Sequence, residues 1–142
     1  MVTSPRFQPL RGTRIVSLAL NLPGPAALLR LQGLGARCLK IEPPGPGQTA
    51  TGRPISGDPM GQYDIGAYTT LHADIRVLQL DLKTERGQAR LAKELATTDL
   101  LLTSFRPSAL LKLGLGWKSL HRAHPQLSLV EIVGAPGERA EE

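Results

Sequence analysis

The stretch Arg14-Ile15-Val16-Ser17-Leu18-Ala19-Leu20-Asn21-Leu22-Pro23-Gly24-Pro25 decides the fold class of this chain. It opens with a short apolar run containing β-branched residues and closes with turn residues, which predicts a buried β-strand that ends in a turn. Pro25 suits the first turn of a helix, and the leucines from Leu28 to Leu34 have helical spacing. Gly35 is a typical helix stop. The stretch therefore predicts a strand, a tight turn and a helix.

The same pattern of apolar runs and amphipathic segments continues along the chain. Four more strands are predicted at 37–41, 77–82, 100–103 and 126–133, and three more helices at 84–95, 107–113 and 117–123. Residues 43–70 show no sustained periodicity and are predicted to form one long loop, which in a compact domain is usually functional or mobile. This order predicts an α/β fold with a mostly parallel, open sheet and helices on both faces.

Composition and charge narrow the possible partners. The chain has 142 residues, 41% of them hydrophobic, which is enough for one domain with a core. Its formal net charge of +5 favours an anionic partner such as a phosphate-bearing cofactor, nucleic acid or an acidic surface. Nucleic acid is the least favoured, because aromatic residues make up only 4% and neither a stacking platform nor a basic helix is evident.

Cysteine content and hydropathy predict a protein of a reducing compartment. No apolar run approaches the ~20 residues that span a bilayer, and Met1 to Arg6 lacks the apolar segment of a signal peptide. The one cysteine, Cys38, cannot form an internal disulfide, so we expect a cytoplasmic protein that does not enter the membrane. Cys38 lies in an apolar strand, which favours a buried structural thiol over a nucleophile.

No group of residues marks a catalytic or metal centre. His121 and His124 are three residues apart, but no third ligand has metal-site spacing, so a solvated surface pair is favoured. The aspartates are scattered and form no recognisable dyad or triad. Neither the G-x-G-x-x-G fingerprint nor a phosphate-binding P-loop is present, which disfavours an ATPase. The sequence therefore predicts a binding crevice and no metal, and it identifies no catalytic residue.

Three segments follow predicted strands and should line that crevice, since ligands of parallel α/β sheets bind at the carboxyl ends of the strands. The segments are Asn21–Pro25, Glu42–Gly47 and Ser104–Pro107. In the third, Phe105 could stack on a planar ring and Arg106 could pair with a phosphate. The alternative is a core phenylalanine beside a solvated arginine.

Several short motifs in a fixed order resemble class III CoA-transferases of the CaiB/BaiF type, the group of formyl-CoA transferase, carnitine CoA-transferase and alpha-methylacyl-CoA racemase. The matching motifs are Leu10 to Leu18, Pro23-Gly24-Pro25, Leu34-Gly35-Ala36, Lys40-Ile41-Glu42-Pro43, Leu80-Asp81-Leu82-Lys83, Thr98-Asp99-Leu100-Leu101, Phe105-Arg106-Pro107 and Leu113-Gly114-Leu115. On this resemblance, residues 1–134 are the N-terminal part of the family's large, Rossmann-like CoA-binding domain, and residues 135–142 are a frayed polar tail.

The resemblance implies coenzyme A as the ligand, acyl-CoA as the substrate class, and a set of binding residues. The positions matching the family's CoA contacts are Leu22, Pro23, Pro43, Leu80, Asp81, Leu82, Lys83, Ser104, Phe105, Arg106 and Lys112. The implied chemistry is CoA transfer between carboxylates through an aspartyl-CoA thioester, or epimerisation beside the thioester.

The resemblance also implies what this chain lacks. The family's catalytic aspartate matches a position beyond residue 142, so no residue here receives the catalytic role. Family chains interlock in pairs, so we expect a homodimer or a partner chain that supplies the missing segment. The alternative hypothesis is a non-catalytic module that binds CoA or a nucleotide.

Overall fold

Parallel strands form the centre of the molecule in the computed structural model, which describes residues 7–141. The expectation that Met1–Arg6 carries no signal segment therefore lies outside the described residues. In chain order the elements are β1 (Arg14–Ser17), α1 (Pro23–Gly33), β2 (Arg37–Glu42), β3 (Pro44–Gln48), β4 (Pro54–Ser56), α2 (Met60–Tyr63), α3 (Ile65–Leu71), β5 (Arg76–Gln79), α4 (Glu85–Leu95), β6 (Leu100–Thr103), α5 (Pro107–Lys112), α6 (Trp117–Ala123), β7 (Ser128–Glu131) and a 3-10 helix at Gly137–Glu141.

The central sheet has five parallel strands in the order β5-β2-β1-β6-β7. The chain first builds outward from β1 through β2 to β5, and then returns to the other side of β1 to add β6 and β7. The connections thus reverse direction between β1 and β6. In open α/β sheets such a reversal leaves a crevice outside the carboxyl ends of the two strands.

Apolar clusters cover both faces of the sheet, as the near-continuous apolar strands predict. On one face Val16, Leu39 and Leu101 pack against Leu91 and Leu95 of α4. On the other face, a smaller cluster joins strand residues Ile15 and Cys38 to Leu28 of α1, with Ala36 and Ile75 beside them. The predicted α/β class, with a mostly parallel open sheet and helices on both faces, is confirmed.

Segment 43–70 is not one loop, and that prediction is wrong. It contains the antiparallel hairpin of β3 and β4 and the short helices α2 and α3. These elements escaped detection because each is only 3–7 residues long, too short for a hydrophobic period to repeat. Helix α3 begins at Asp64, whose carboxylate accepts a hydrogen bond from the backbone N–H of Ala67.

Two local predictions concern the start of α4 and the C-terminal tail. Thr84 caps α4 as predicted, since its hydroxyl accepts from the backbone N–H of Gly87 at 3.0 Å. The polar tail was expected to fray, but residues 137–141 form a 3-10 helix that contacts α5. None of the helices within residues 7–141 combines the length and apolarity required to cross a membrane.

Gly24 allows α1 to turn back tightly against the end of β1. A Cβ atom on Gly24 would lie 2.3 Å from the Ala19 Cβ and 2.8 Å from the Ala19 carbonyl oxygen. We therefore expect Gly24→Ala to lower the free energy of unfolding by about 1–3 kcal/mol in urea denaturation.

The matched control lies in the same helix. A Cβ on Gly33 would meet no atom within 4 Å, so Gly33→Ala should be neutral or stabilising by up to about 1 kcal/mol. Equal losses in the two variants would show that general helix effects, and not the close approach to Ala19, determine the cost.

Candidate functional site

The carboxyl ends of β1 and β6 meet at the reversal point of the sheet. The backbone N–H of Leu20 donates to the Ser104 hydroxyl at 3.2 Å, which holds the turn after β1 beside the corner after β6. Asn21 in that turn has a φ of 60°, a left-handed conformation that asparagine adopts more readily than most residues. Two of the three segments that the sequence placed at the crevice are thus adjacent.

An apolar cleft of about 130 Å³ lies next to this junction. Residues from the ends of β1, β2, β5 and α5, together with Phe105, line it: Leu18, Ile41, Glu42, Pro43, Leu80, Asp81, Leu82, Lys83, Phe105 and Leu113. The Phe105 ring is partly buried against the core cluster. The wall is continuous because the backbone N–H of Leu80 donates to the Glu42 carbonyl at 3.0 Å, extending the β2–β5 pairing to the cleft.

A basic groove of about 570 Å³ adjoins the apolar cleft and shares Leu82, Lys83 and Leu113 with it. Its charged residues are Lys83, Lys112 and Glu85, which leave the lining with a net positive charge. The Gln88 side-chain amide donates to the Leu82 carbonyl at 2.6 Å and to the Leu113 carbonyl at 2.9 Å, so it fixes the two walls relative to each other. An apolar slot opening onto a positively charged groove can hold a ligand with a flat ring and phosphates.

The start of α5 already accepts an anion in this structure. The Glu141 carboxylate receives hydrogen bonds from the backbone N–H and the hydroxyl of Ser108, both at 2.7 Å. These bonds hold the pKa of Glu141 below its usual range, and Arg106 and Lys112 contribute in the same direction. The donors beside Arg106 therefore face outward, toward a position where negative charge is favoured.

A buried group of polar side chains lies beneath the turn and the cleft, and we name it the Lys40 cluster: Lys40, Glu42, Asp58, Tyr68 and His72. Lys40 and Asp58 are fully buried and their side chains form an ion pair. The Lys40 ammonium is also 3.3 Å from Glu42 and 2.8 Å from the His72 Nε2. The Tyr68 hydroxyl donates to Glu42 at 3.0 Å. Every buried charge in the cluster is thus paired, as burial requires.

The Lys40 cluster fixes the protonation state of His72. The His72 Nδ1 is 2.6 Å from the Tyr68 carbonyl oxygen, an acceptor, so Nδ1 carries the proton and Nε2 accepts from Lys40. Burial lowers the pKa of His72, and the neighbouring Lys40 charge adds to the effect. Burial also raises the pKa of Tyr68 to about 12, so its hydroxyl stays protonated as a donor to Glu42.

The Lys40 cluster reaches the crevice through Asp58 and Glu42. The two carboxylate oxygens of Asp58 accept from the backbone N–H of Asn21 at 3.0 and 3.2 Å, which ties the turn after β1 to the segment before α2. Glu42 lines the apolar cleft directly. Sequence reasoning missed Asp58 and His72, although a charged residue inside the predicted buried strand, Lys40, signals that buried partners exist.

The structure brings most of the sequence-predicted binding residues together. Pro43, Leu80, Asp81, Leu82, Lys83 and Phe105 line the apolar cleft, Lys112 lines the basic groove, and Ser104 bonds to Leu20. Leu22 and Pro23 are exposed at the start of α1 and line neither cavity. Arg106 is exposed at the N-terminal end of α5, outside the lining of both cavities.

The cysteine and the histidine pair to which the sequence analysis assigned no chemistry lie outside both cavities. Cys38 is buried, and burial raises the pKa of its thiol to about 11, which suits a core residue and not a nucleophile. His121 lies against the Trp117 ring, with 4.9 Å between ring centres. Across residues 7–141, no three of the histidine, cysteine and acidic side chains are grouped as metal ligands would be.

This geometry defines an open α/β domain with a crevice at the sheet reversal, where an apolar cleft adjoins a groove that carries two lysines. The sequence model of CoA-transferase family III matches residues 10–141, and the chain belongs to this family. The resemblance noted from the motifs is thereby confirmed.

Named relatives are similar over most of this chain but are much longer. The chain is 31% identical over 134 residues to succinyl-CoA--D-citramalate CoA-transferase of Chloroflexus aurantiacus, covering 89% of the chain and 31% of that protein. It is 33% identical over 123 residues to cinnamoyl-CoA:phenyllactate CoA-transferase of Clostridium sporogenes, covering 87% of the chain and 30% of that protein. The chain thus spans about a third of the length of these relatives.

Solved structures share the fold. Rv3272 of Mycobacterium tuberculosis superposes with a TM-score of 0.80 at 26% identity, covering 97% of this chain and 37% of that one. A CaiB/BaiF family protein of Brucella suis gives a TM-score of 0.73 at 30% identity, covering 96% of this chain and 36% of that one.

The neutral His72 makes stability depend on pH. Because the folded-state pKa is lowered, the unfolded chain binds this proton more readily, so the contribution is complete above the unfolded value of about 6.5 and is lost as the pH falls. We expect the free energy of unfolding, measured in urea, to decrease between pH 7 and pH 5.

His72→Gln should make the free energy of unfolding depend less on pH between pH 7 and pH 5, since the glutamine carbonyl can accept from Lys40 without titrating. His121→Gln, at an exposed histidine of α6, is the matched control. If His72→Gln leaves the pH dependence of the free energy of unfolding unchanged, His72 is not its source.

Proposed function

We propose that this chain binds the coenzyme A moiety of acyl-CoA thioesters in the apolar cleft and the basic groove. The observation that carries the proposal is the junction of the two cavities at Leu82, Lys83 and Leu113, at the carboxyl edge of the sheet. Coenzyme A combines a flat purine with a diphosphate and a 3′-phosphate, so it needs an apolar slot next to a cationic surface. Family membership supports the same ligand.

The ligand's parts match the two cavities in order. The adenine ring lies in the apolar cleft against Phe105 and between the walls formed by Pro43 and Leu80. The phosphates lie toward the groove, within reach of Lys83 and Lys112. Arg106 adds a third positive charge at the start of α5. Binding of the phosphates there would displace or rearrange the Glu141 carboxylate that Ser108 now holds.

The reaction class that we propose is transfer of CoA between carboxylic acids through an aspartyl-CoA thioester. That chemistry needs a positioned carboxylate nucleophile. The carboxylates near the cleft are already engaged: Glu42 lies in the Lys40 cluster, and Asp81 accepts from the backbone N–H of Lys83 at 3.0 Å. We therefore assign no catalytic residue within 7–141, and place the nucleophile in a segment beyond residue 142 or on a partner chain.

A partner chain or a second copy is part of the proposal. Succinyl-CoA--L-malate CoA-transferase of Chloroflexus aurantiacus, a relative at 30% identity for its alpha subunit, is named as having alpha and beta subunits. In this chain Val130 on the edge strand β7 is 46% exposed, which would suit an added element on that side.

One alternative is a non-catalytic module that binds CoA without turnover. It is favoured by the carboxylates of Glu42 and Asp81, which are already engaged in contacts within the chain.

Thermal-shift titration with CoA tests the binding claim. A ligand that binds the folded chain alone adds about 2.7 kcal/mol of stability at a concentration 100 times its Kd. The proposal predicts a saturable rise in Tm with CoA and a smaller one with dephospho-CoA. No rise at millimolar CoA would overturn it. An exchange assay between an acyl-CoA and a free acid, run on the same sample, separates the enzyme from the non-catalytic module.

Arg106→Ala should weaken CoA binding by about 1–3 kcal/mol in calorimetry, the scale of hydrogen bonds to a charged group. Arg122→Ala, which removes an exposed arginine from α6, is the matched control and should leave the affinity unchanged. If both variants bind CoA as the parent does, Arg106 is not part of the site.

A further inference from the structure

Three arginines lie together at the edge of the sheet opposite the proposed CoA site. Arg14, Arg37 and Arg76 are the first residues of β1, β2 and β5, three neighbouring strands. Arg14 pairs directly with Arg37, and Arg76 pairs with Leu39, two residues after Arg37. Side chains alternate along a strand, so all three arginines point to the same face of the sheet.

None of the three guanidinium groups forms an ion pair with a carboxylate among residues 7–141. The ion pairs found within residues 7–141 join Lys40 to Glu42 and Asp58, and Arg90 to Glu94. Two nearby acids bind other groups: Glu94 forms an ion pair with Arg90, and the Asp99 carboxylate accepts a hydrogen bond from the backbone N–H of Arg14. Like charges at neighbouring positions of a sheet are destabilising, so an anion at this place would relieve a real repulsion.

A cleft of about 300 Å³ receives these arginines. Its lining adds Gln32 and Thr98 as polar groups, with Val16 and Leu39 as apolar ones and Asp74 and Glu94 as acids. The lining thus holds three arginines and two acids, of which Glu94 is already paired with Arg90. The volume lies at the lower end of the range for small-molecule sites.

We propose that this cleft is a binding site for a compact multivalent anion of the phosphate or carboxylate class. Guanidinium groups match phosphate and carboxylate oxygens in bidentate geometry, and strand positions hold their Cα atoms more rigidly than loops do. Neighbouring strands lie about 4.8 Å apart, so the long arginine side chains can converge on one small ligand. The site is separate from the CoA cleft and does not depend on the proposed function.

The test uses inorganic pyrophosphate as the probe, with the full chain, in isothermal titration calorimetry at low salt. The parent should bind pyrophosphate saturably. Arg37→Glu places a carboxylate between Arg14 and Arg76, so it should weaken pyrophosphate binding about tenfold or more and also raise Tm by relieving the repulsion. Arg53→Glu in the β3–β4 hairpin makes the same charge change elsewhere and should preserve binding.

A second variant guards against binding in the proposed CoA groove. The double variant Lys83→Ala and Lys112→Ala should keep most of the pyrophosphate affinity, while Arg37→Glu should keep the affinity for CoA. The proposal is overturned if pyrophosphate fails to bind at millimolar concentration, or if Arg53→Glu weakens it as much as Arg37→Glu does. Tight binding of an octaglutamate peptide without pyrophosphate binding would also overturn it, in favour of an acidic polypeptide.

Discussion

The buried ammonium of Lys40 is the constraint on which the crevice depends. A fully buried charge is tolerated only when each of its donors finds a partner, and Lys40 has three donors and three acceptors, on Asp58, Glu42 and His72. Two of those acceptors lie in segment 43–75, which the cluster therefore anchors to β2, an interior strand of the sheet. Through Asp58 the same charge network positions the Asn21 backbone at the sheet reversal.

The segments that line the crevice could be predicted from the sequence, whereas the buried Lys40 cluster beneath them could not. Parallel strands carry their carboxyl ends to one edge, so the sequence placed the segment from Leu80 to Lys83 and the Phe105 corner at the same edge of the sheet. The Asp58 and His72 contacts join residues 18 and 32 positions away from Lys40, across short elements with no periodicity. A charged residue in a buried strand indicates that buried hydrogen-bonding or oppositely charged side chains lie beside it, but the sequence does not identify them.

The two edges of the sheet present different chemistry. At the carboxyl edge the apolar cleft adjoins the basic groove with Lys83 and Lys112. At the start of α5 the backbone N–H of Ser108 already binds the Glu141 carboxylate. At the amino edge, Arg14, Arg37 and Arg76 line a cleft of about 300 Å³ together with the two acids Asp74 and Glu94. The proposed CoA site lies at the first of these edges, and the proposed anion site lies at the second. The chain spans only about a third of the length of the relatives it matches.

Two-dimensional ¹H–¹⁵N NMR of the labelled chain during titration with CoA would show whether coenzyme A occupies the carboxyl-edge cleft. We expect saturable shifts at the backbone amides of Leu80, Leu82, Lys83 and Phe105, while the amide of Arg37 at the opposite edge stays unmoved. Shifts concentrated around Arg37, or a spectrum that CoA leaves unchanged, would contradict this expectation.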